Sequence, residues 1–269
     1  MKEYCFNNFK TSIRVTLLNF DELPRNNLLE PVGRRKQFET DILLYKYKMQ
    51  SKNRDVKNKI SGNKQLKAHF NRNFCEVINF DKRKMFCCFK NGLSLDFIVS
   101  RQVERSFLLF QMELGILFVH ASSVVIDGKL NLFVAPSGGG KTTFYNLAKA
   151  HGLNALDEEV CIVKRKGNKF YAGIFPFYDP LRRRNPFFEL ENIFFLEKSA
   201  ENSLRKITKV EAIRRAMPEA STFFRNQIPR DRIGEYRSHV FNFLDALFEN
   251  VDFNVLNFNK SPKVFSCLK

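Results

Sequence analysis

Apolar and polar residues alternate over residues 12–18, which predicts a strand because successive strand side chains point to opposite faces. Residues 86–89 and 93–99 flank Asn91-Gly92 and predict a hairpin. Over residues 103–114 the apolar spacing becomes helical, with Gly115 at the end. Strand resumes at 116–120, and a second hairpin follows, with 124–126 and 129–132 joined by Asp127-Gly128. A short helix is predicted over 143–150 with Gly152 just past its end, and 153–156 returns as strand. Further strands are expected at 169–175 and 193–196. Thr208 and Glu211 form a capping box for a helix over 209–217, which Pro218 closes. Residues 236–248 make an amphipathic helix with Val240, Phe243, Leu244 and Leu247 on one face. No repeat and no Pro/Ser-rich linker interrupts the chain, so the expected division is an N-terminal β-rich region, 1–100, and a second domain, 101–269.

Within this pattern one stretch carries chemistry. The apolar run ending at Ala135 feeds Pro136-Ser137-Gly138-Gly139-Gly140, and Lys141-Thr142-Thr143 opens a helix. Successive glycines let backbone N–H groups curl inward as an anion nest, and the positive end of the helix points into it. This is the context of a phosphate-binding P-loop, with Ala135 in place of the usual first glycine. Ser137 to Thr143 are therefore the nucleotide-binding candidates, with Lys141 on the outer phosphates and the Thr142 hydroxyl on Mg²⁺. Lys141 is expected to face solvent when no ligand is bound. Asp157, Glu158 and Glu159, one helix out and one strand back, are placed to hold Mg²⁺ or accept a proton. The preceding hairpin sets an antiparallel neighbour beside the loop strand, unlike the βαβ crossovers of ordinary P-loop NTPases.

Five segments in order carry a resemblance: Val119-His120-Ala121-Ser122-Ser123, the Asp-Gly hairpin, Ser137-Gly138-Gly139-Gly140-Lys141-Thr142, Leu156-Asp157-Glu158, and Phe175-Pro176-Phe177-Tyr178. Strands at 192–197 and 255–258 follow. From residue 101 to 269 the chain resembles the HPr kinase/phosphorylase family, and more closely its HPr-kinase-related branch, whose P-loop fold is shared with phosphoenolpyruvate carboxykinase. The resemblance implies an α/β domain with a mixed, partly antiparallel sheet, a P-loop and flanking helices, like the HPr kinase C-terminal domain. It also implies an ATP-dependent serine kinase that uses ATP and Mg²⁺ on a protein or peptide with an acceptor serine. Asp157 then corresponds to the base, Glu158 to the Mg²⁺ partner, and His120 to a residue near the active site, with Lys141 assisting transfer. Two departures stand out. Asp-Glu replaces the family's Asp-Asp, so Glu159 competes for the metal, and no glycine-arginine-asparagine signature follows, which argues against HPr itself as acceptor.

Each candidate has a plainer reading. The three acids could form a solvated turn, His120 a satisfied core side chain, and Arg182-Arg183-Arg184 a solvated basic run rather than a phosphate clamp. Two other functions stay open: a nucleotide-binding regulatory module without transfer chemistry, and a P-loop ATPase contacting nucleic acid. Only the basic balance supports the latter. The chain carries a formal charge of +17, and its 46–72 segment holds nine Lys or Arg against Asp55. That stripe suits an acidic partner, and no nucleic-acid motif accompanies it. The 30 Phe residues read as core filler. The six cysteines lack CxxC spacing, which predicts reduced thiols, with one of Cys87 and Cys88 buried. No apolar signal segment follows Met1, and no run suits a bilayer, so a cytoplasmic protein without a membrane partner is expected, with homo-oligomerisation open. The serine-kinase reading expects the Asp157 carboxylate to face the 138–141 loop across an open cleft, with His120 lining it.

Overall fold

The computed structural model describes residues 2–8, 11–18, 30–31, 40–47, 66–70, 74–90, 94–157, 159–174, 187–221 and 228–268. Side chains are described at Val15, at Ile42 and from Glu76 onward, apart from Cys88, Lys90, Ser100 and Asp157 within those elements. The basic 46–72 segment has no described side chain, and the aromatic-proline segment and Arg182-Arg183-Arg184 lie outside the described residues. The described residues form two units, one within Met1–Leu114 and the other within Gly115–Phe175 and Arg184–Lys269.

The first unit is a seven-stranded sheet. Its strands are β1 (Lys2–Asn8), β2 (Thr11–Leu18), β3 (Glu30–Pro31), β4 (Thr40–Tyr47), β5 (Leu66–Phe70), β6 (Phe74–Asn79) and β7 (Lys84–Lys90), in the order β3-β1-β2-β4-β7-β6-β5. The predicted strand 12–18 is present as β2, and 86–89 lies within β7. The second arm of the predicted first hairpin is not a strand. Residues 95–99 instead lie in helix α1 (Leu95–Leu109), whose Ser94 cap accepts a hydrogen bond from the Phe97 N–H at 3.2 Å. Leu95, Ile98, Val99, Gln102, Val103, Ser106 and Phe107 are buried, a 3–4 spacing that only a helix can bury together. The short apolar run was ambiguous by itself, and the cap resolves it. A one-turn helix, α2 (Gln111–Leu114), follows.

The second unit comprises β8 (Ile116–Ile126), β9 (Lys129–Val134), α3 (Lys141–Ala150), β10 (Asn154–Asp157), β11 (Val160–Lys166), β12 (Lys169–Ile174), β13 (Phe188–Lys198), β14 (Ser203–Lys206), α4 (Lys209–Ser221), α5 (Ile233–Phe248) and β15 (Asp252–Phe258). Its sheet is mixed and mostly antiparallel. The pairs β8–β11, β11–β12, β12–β13 and β8–β9 run antiparallel, whereas β9 and β15 run parallel to β13. The expected β8–β9 hairpin is present, with Asp127 at φ 50° and Gly128 at φ 79°, the left-handed pair a tight two-residue turn requires.

Two other boundaries differ from expectation. Helix α3 begins at Lys141 rather than 143. Helix α4 runs through Pro218 to Ser221 instead of stopping before it. A mid-helix proline forfeits a backbone bond, but burial of Ala216, Glu219 and Ala220 and a 2.9 Å bond from the Tyr236 hydroxyl to the Ala220 carbonyl hold the last turn. Half of the predicted capping box forms: the Thr208 hydroxyl accepts from the Glu211 N–H at 3.3 Å. The Glu211 carboxylate turns to Arg205 and Arg215.

Phe133, Phe144, Phe194, Phe258 and Phe265 share one buried cluster with Val124, Ala135 and Leu256, so phenylalanine does fill this core. Cys87 and Cys161 are buried, and Cys267 is half-buried. No helix among the described residues is long and apolar enough to cross a membrane.

Candidate functional site

Strand β9 sits between antiparallel β8 and parallel β13 and delivers Ala135 to Gly140 at its C-terminal end. The turn closes through a 2.9 Å bond from the Gly139 N–H to the Pro136 carbonyl. A Cβ at position 139 would lie 2.7 Å from the Ala135 Cβ and 2.9 Å from the Pro136 carbonyl oxygen, so the curl leaves no room for a side chain. Gly140 sits at φ 108° as the N-cap of α3, and no side chain caps that helix. Its first N–H groups therefore lack a side-chain acceptor at the mouth of the turn. Pro136, Ser137, Gly138 and Thr142 are exposed, with Gly139, Gly140 and Thr143 half-buried.

The loop is mounted on aromatic packing. Phe144 stacks on Phe133 at 4.0 Å between ring centroids and meets Phe258 and Phe265 edge-on at 5.8 and 5.6 Å. The Phe258 ring would lie 2.7 Å from a Cβ at Gly140. Gly140→Ala is therefore expected to cost about 2–4 kcal/mol, combining left-handed strain with the ring clash. Gly138→Ala, at φ 76° with nothing within 4 Å, meets the strain alone and should cost about 1–2 kcal/mol. Thermal unfolding of the two variants checks this, and equal losses would show that Phe258 yields freely.

Lys141 does not face solvent as the sequence suggested. It is 7% exposed, and its ammonium donates to the Ala135 carbonyl at 2.5 Å and lies 3.4 Å from the Pro136 carbonyl. The loop's own carbonyls thus hold the side chain at the base of the turn. Burial lowers the proton affinity of its amine, and the negative charge of Glu219 partly offsets that.

His120 lies on β8, and its Nδ1 is 2.8 Å from Oε2 of Glu219 on α4. The structure thus pairs one predicted residue, His120, with Glu219. Glu219 itself went unpredicted. The available signal was a carboxylate on the face of α4 formed by Ala212, Ala216 and Ala220, where burial demands a partner.

Strands β10 and β11 both run antiparallel to β8 on either side of a short irregularity. Asp157 pairs with Ser123, Val160 pairs with His120, and the Ala121 N–H bonds the Glu159 carbonyl at 3.2 Å. Ala121 also pairs with Val134, the last residue before the glycine turn. The acidic segment and the turn therefore share one level of the sheet, two strand spacings apart, or about 10 Å. Glu159 is exposed, while the Asp157 side chain and all of Glu158 lie outside the described residues. The expected direction of the Asp157 carboxylate lies outside them as well. A cavity of about 390 Å³, lined by Lys129, Glu189, Glu191 and Asp252 among others, opens at the starts of β9, β13 and β15, the end opposite the turn.

A strand, a glycine turn and a lysine-headed helix on a mixed, mostly antiparallel sheet define this chain as an α/β protein with a glycine turn at the end of a central strand. The family model for SynChlorMet cassette protein ScmC matches residues 85–266, and the chain belongs to that family. No curated protein matches it. Among solved structures, the Hpr(Ser) kinase/phosphatase from Coxiella burnetii is similar at 16% identity, over 34% of this chain and 77% of that one, with a TM-score of 0.26.

Proposed function

We propose that this protein is an ATP-dependent serine kinase acting on a protein or peptide, in the manner of the HPr kinases its motifs resemble. The observation that carries the reading is the turn itself. Its glycines leave no space for side chains at 139 and 140, its helix lacks a side-chain cap, and a buried lysine ammonium waits at its base. That donor set suits the phosphates of a nucleotide.

Backbone N–H groups from Ser137 to Thr143 and the Lys141 ammonium would hold the phosphates, and Thr142 with Glu158 or Glu159 would hold Mg²⁺. Bound MgATP supplies the transferable phosphoryl group, with the ion neutralising charge. Asp157 orients the acceptor hydroxyl and takes its proton, while Lys141 and His120 present positive or hydrogen-bonding groups to the developing charge. The matched family is named for a cassette, so the acceptor is best sought among proteins or peptides encoded alongside. The basic 46–72 segment is a candidate surface for such a partner where that partner is acidic.

Transfer of the γ-phosphate of ATP to candidate acceptors, measured beside ATP affinity by calorimetry, tests the reading. Asp157→Asn should lower transfer about 10²–10⁴-fold and change affinity by less than about threefold, because it removes a base while keeping size and hydrogen bonding. Glu158→Gln should raise the Mg²⁺ concentration needed. The opposite pattern would exchange the two roles, and failure of the wild type to bind ATP would overturn the kinase reading. Binding without transfer to any acceptor would assign a regulatory nucleotide-binding module instead.

A further inference from the structure

Lys198 ends β13, and its neighbours fix the direction of its side chain. Glu197, one residue earlier, pairs with Arg215 of α4 at 2.7 Å. Strand side chains alternate, so Lys198 belongs to the opposite face, the one that carries Phe194 and Leu196 of the buried cluster. Its register partner on parallel β15 is Phe258, the residue whose ring lies against Gly140. The Ser199 N–H bonds the Phe258 carbonyl at 3.0 Å, so the two strands stay joined to their ends. Lys198 follows the direction of that ring. Its Cε would lie 3.9 Å from a Cβ at Gly140, and the ammonium is the next atom along. A second lysine thus reaches the N-cap of α3 from the neighbouring strand, while Lys141 sits at the base of the turn. Lys198 is exposed, and no carboxylate pairs with it among the described residues. The N-terminal end of a helix is where a cation is unfavourable by itself and an anion is welcome.

We propose that Lys198 is a second phosphate-binding cation of the nucleotide site, contacting the phosphate chain from the β13 side of the glycine turn. The proposal rests on the nucleotide-binding reading of that turn. A polyphosphate spreads its charge along a chain, and two ammonium groups on different elements meet more of it than one can. The two lysines differ in setting. Lys141 is buried and held by the loop's own carbonyls, so its contact is desolvated and weakly screened. Lys198 stands in water at the end of its strand, a compact charge on a long stem, so its contact is weaker and sensitive to salt. Lys198 therefore adds to phosphate affinity without being essential to it.

Calorimetry with MgATP and with inorganic tripolyphosphate, on wild type, Lys198→Met, Lys198→Glu and Lys198→Arg, is the test. Met keeps the stem and removes the charge, and should weaken both ligands about 3- to 10-fold. Glu reverses the charge and should weaken them about 10- to 100-fold. Arg keeps the charge and should stay within about threefold of wild type. Raising the salt should narrow the gap between wild type and Met, because the contact is exposed. Lys169→Met is the control for overall charge. That lysine pairs with Glu189 near the start of β13, away from the turn, and its loss should change affinity by less than about twofold. Thermal unfolding of the Lys198 variants should stay within about 2 °C of wild type, as befits an exposed side chain. A role confined to the packing of the stem would leave Met like wild type. If wild type binds both ligands and Met binds them as tightly, or Arg loses as much as Met, the inference about Lys198 falls. A loss for MgATP alone would place the residue on the nucleoside and also overturn it. If wild type binds neither ligand, the reading of the turn falls, and the role of Lys198 with it.

Discussion

Lys141→Ala is expected to reduce ATP affinity by about 100-fold or more while leaving the protein folded. A charge-assisted hydrogen bond contributes about 1.5–3 kcal/mol, and a lysine on the outer phosphates makes more than one. Each 1.4 kcal/mol is a factor of ten in affinity. The same ammonium is buried against the Ala135 carbonyl, and burial depresses its proton affinity. Its removal therefore relieves a desolvated charge, and stability should stay within about 1 kcal/mol of wild type. The helix keeps its own anchors, because Phe144 stays stacked on Phe133 and its N–H stays bonded to the Gly140 carbonyl at 2.8 Å. Calorimetry with MgATP and a thermal melt check both halves. Unchanged affinity would remove the lysine from any phosphate-binding role, and a large loss of stability would make it a structural residue.

Arg105→Met is expected to destabilise the first unit by about 3–5 kcal/mol. Glu76 on β6 is 0% exposed, and both its carboxylate oxygens lie 2.8 Å from Arg105 Nε on α1. Cutting the guanidinium away strands a carboxylate that no water can reach, and that penalty exceeds the worth of the intact pair. The companion change Glu76→Gln should recover part of the loss, since it removes the stranded charge while keeping the shape. Urea unfolding followed by a probe in the first sheet measures both. A loss below about 1 kcal/mol from Arg105→Met would mean that the carboxylate finds another partner.

Local patterns were legible wherever one residue type answers one backbone need. Asp127-Gly128 announced its hairpin because few other pairs tolerate two left-handed residues in succession. Gly138 to Lys141 announced the turn for a similar reason, and Gly152 marked the end of α3. The apolar run at 93–99 misled because a short run has no period of its own; the Ser94 cap and a burial pattern reaching Phe107 decide for helix. Pro218 misled because a proline's local cost was weighed without the burial of Ala216 and Ala220 and the bond from Tyr236 that outweigh it.

By itself the sequence determined the strand, the glycine turn and a helix following it, since these are dictated by φ angles and by the lack of a Cβ. It also determined that a histidine lies one strand earlier and an acidic triplet one strand later. Only the tertiary structure decided that Lys141 folds back onto the Ala135 carbonyl instead of standing in solvent. It alone placed Glu219, 99 positions from His120, within hydrogen-bond reach of that ring. It alone aligned the acidic segment with the foot of the turn through Ala121, which pairs with Val134 on one side and bonds Glu159 on the other. Contacts of that kind join residues far apart in the chain. Their energies depend on which faces the sheet and helices bring together, so no local spacing encodes them.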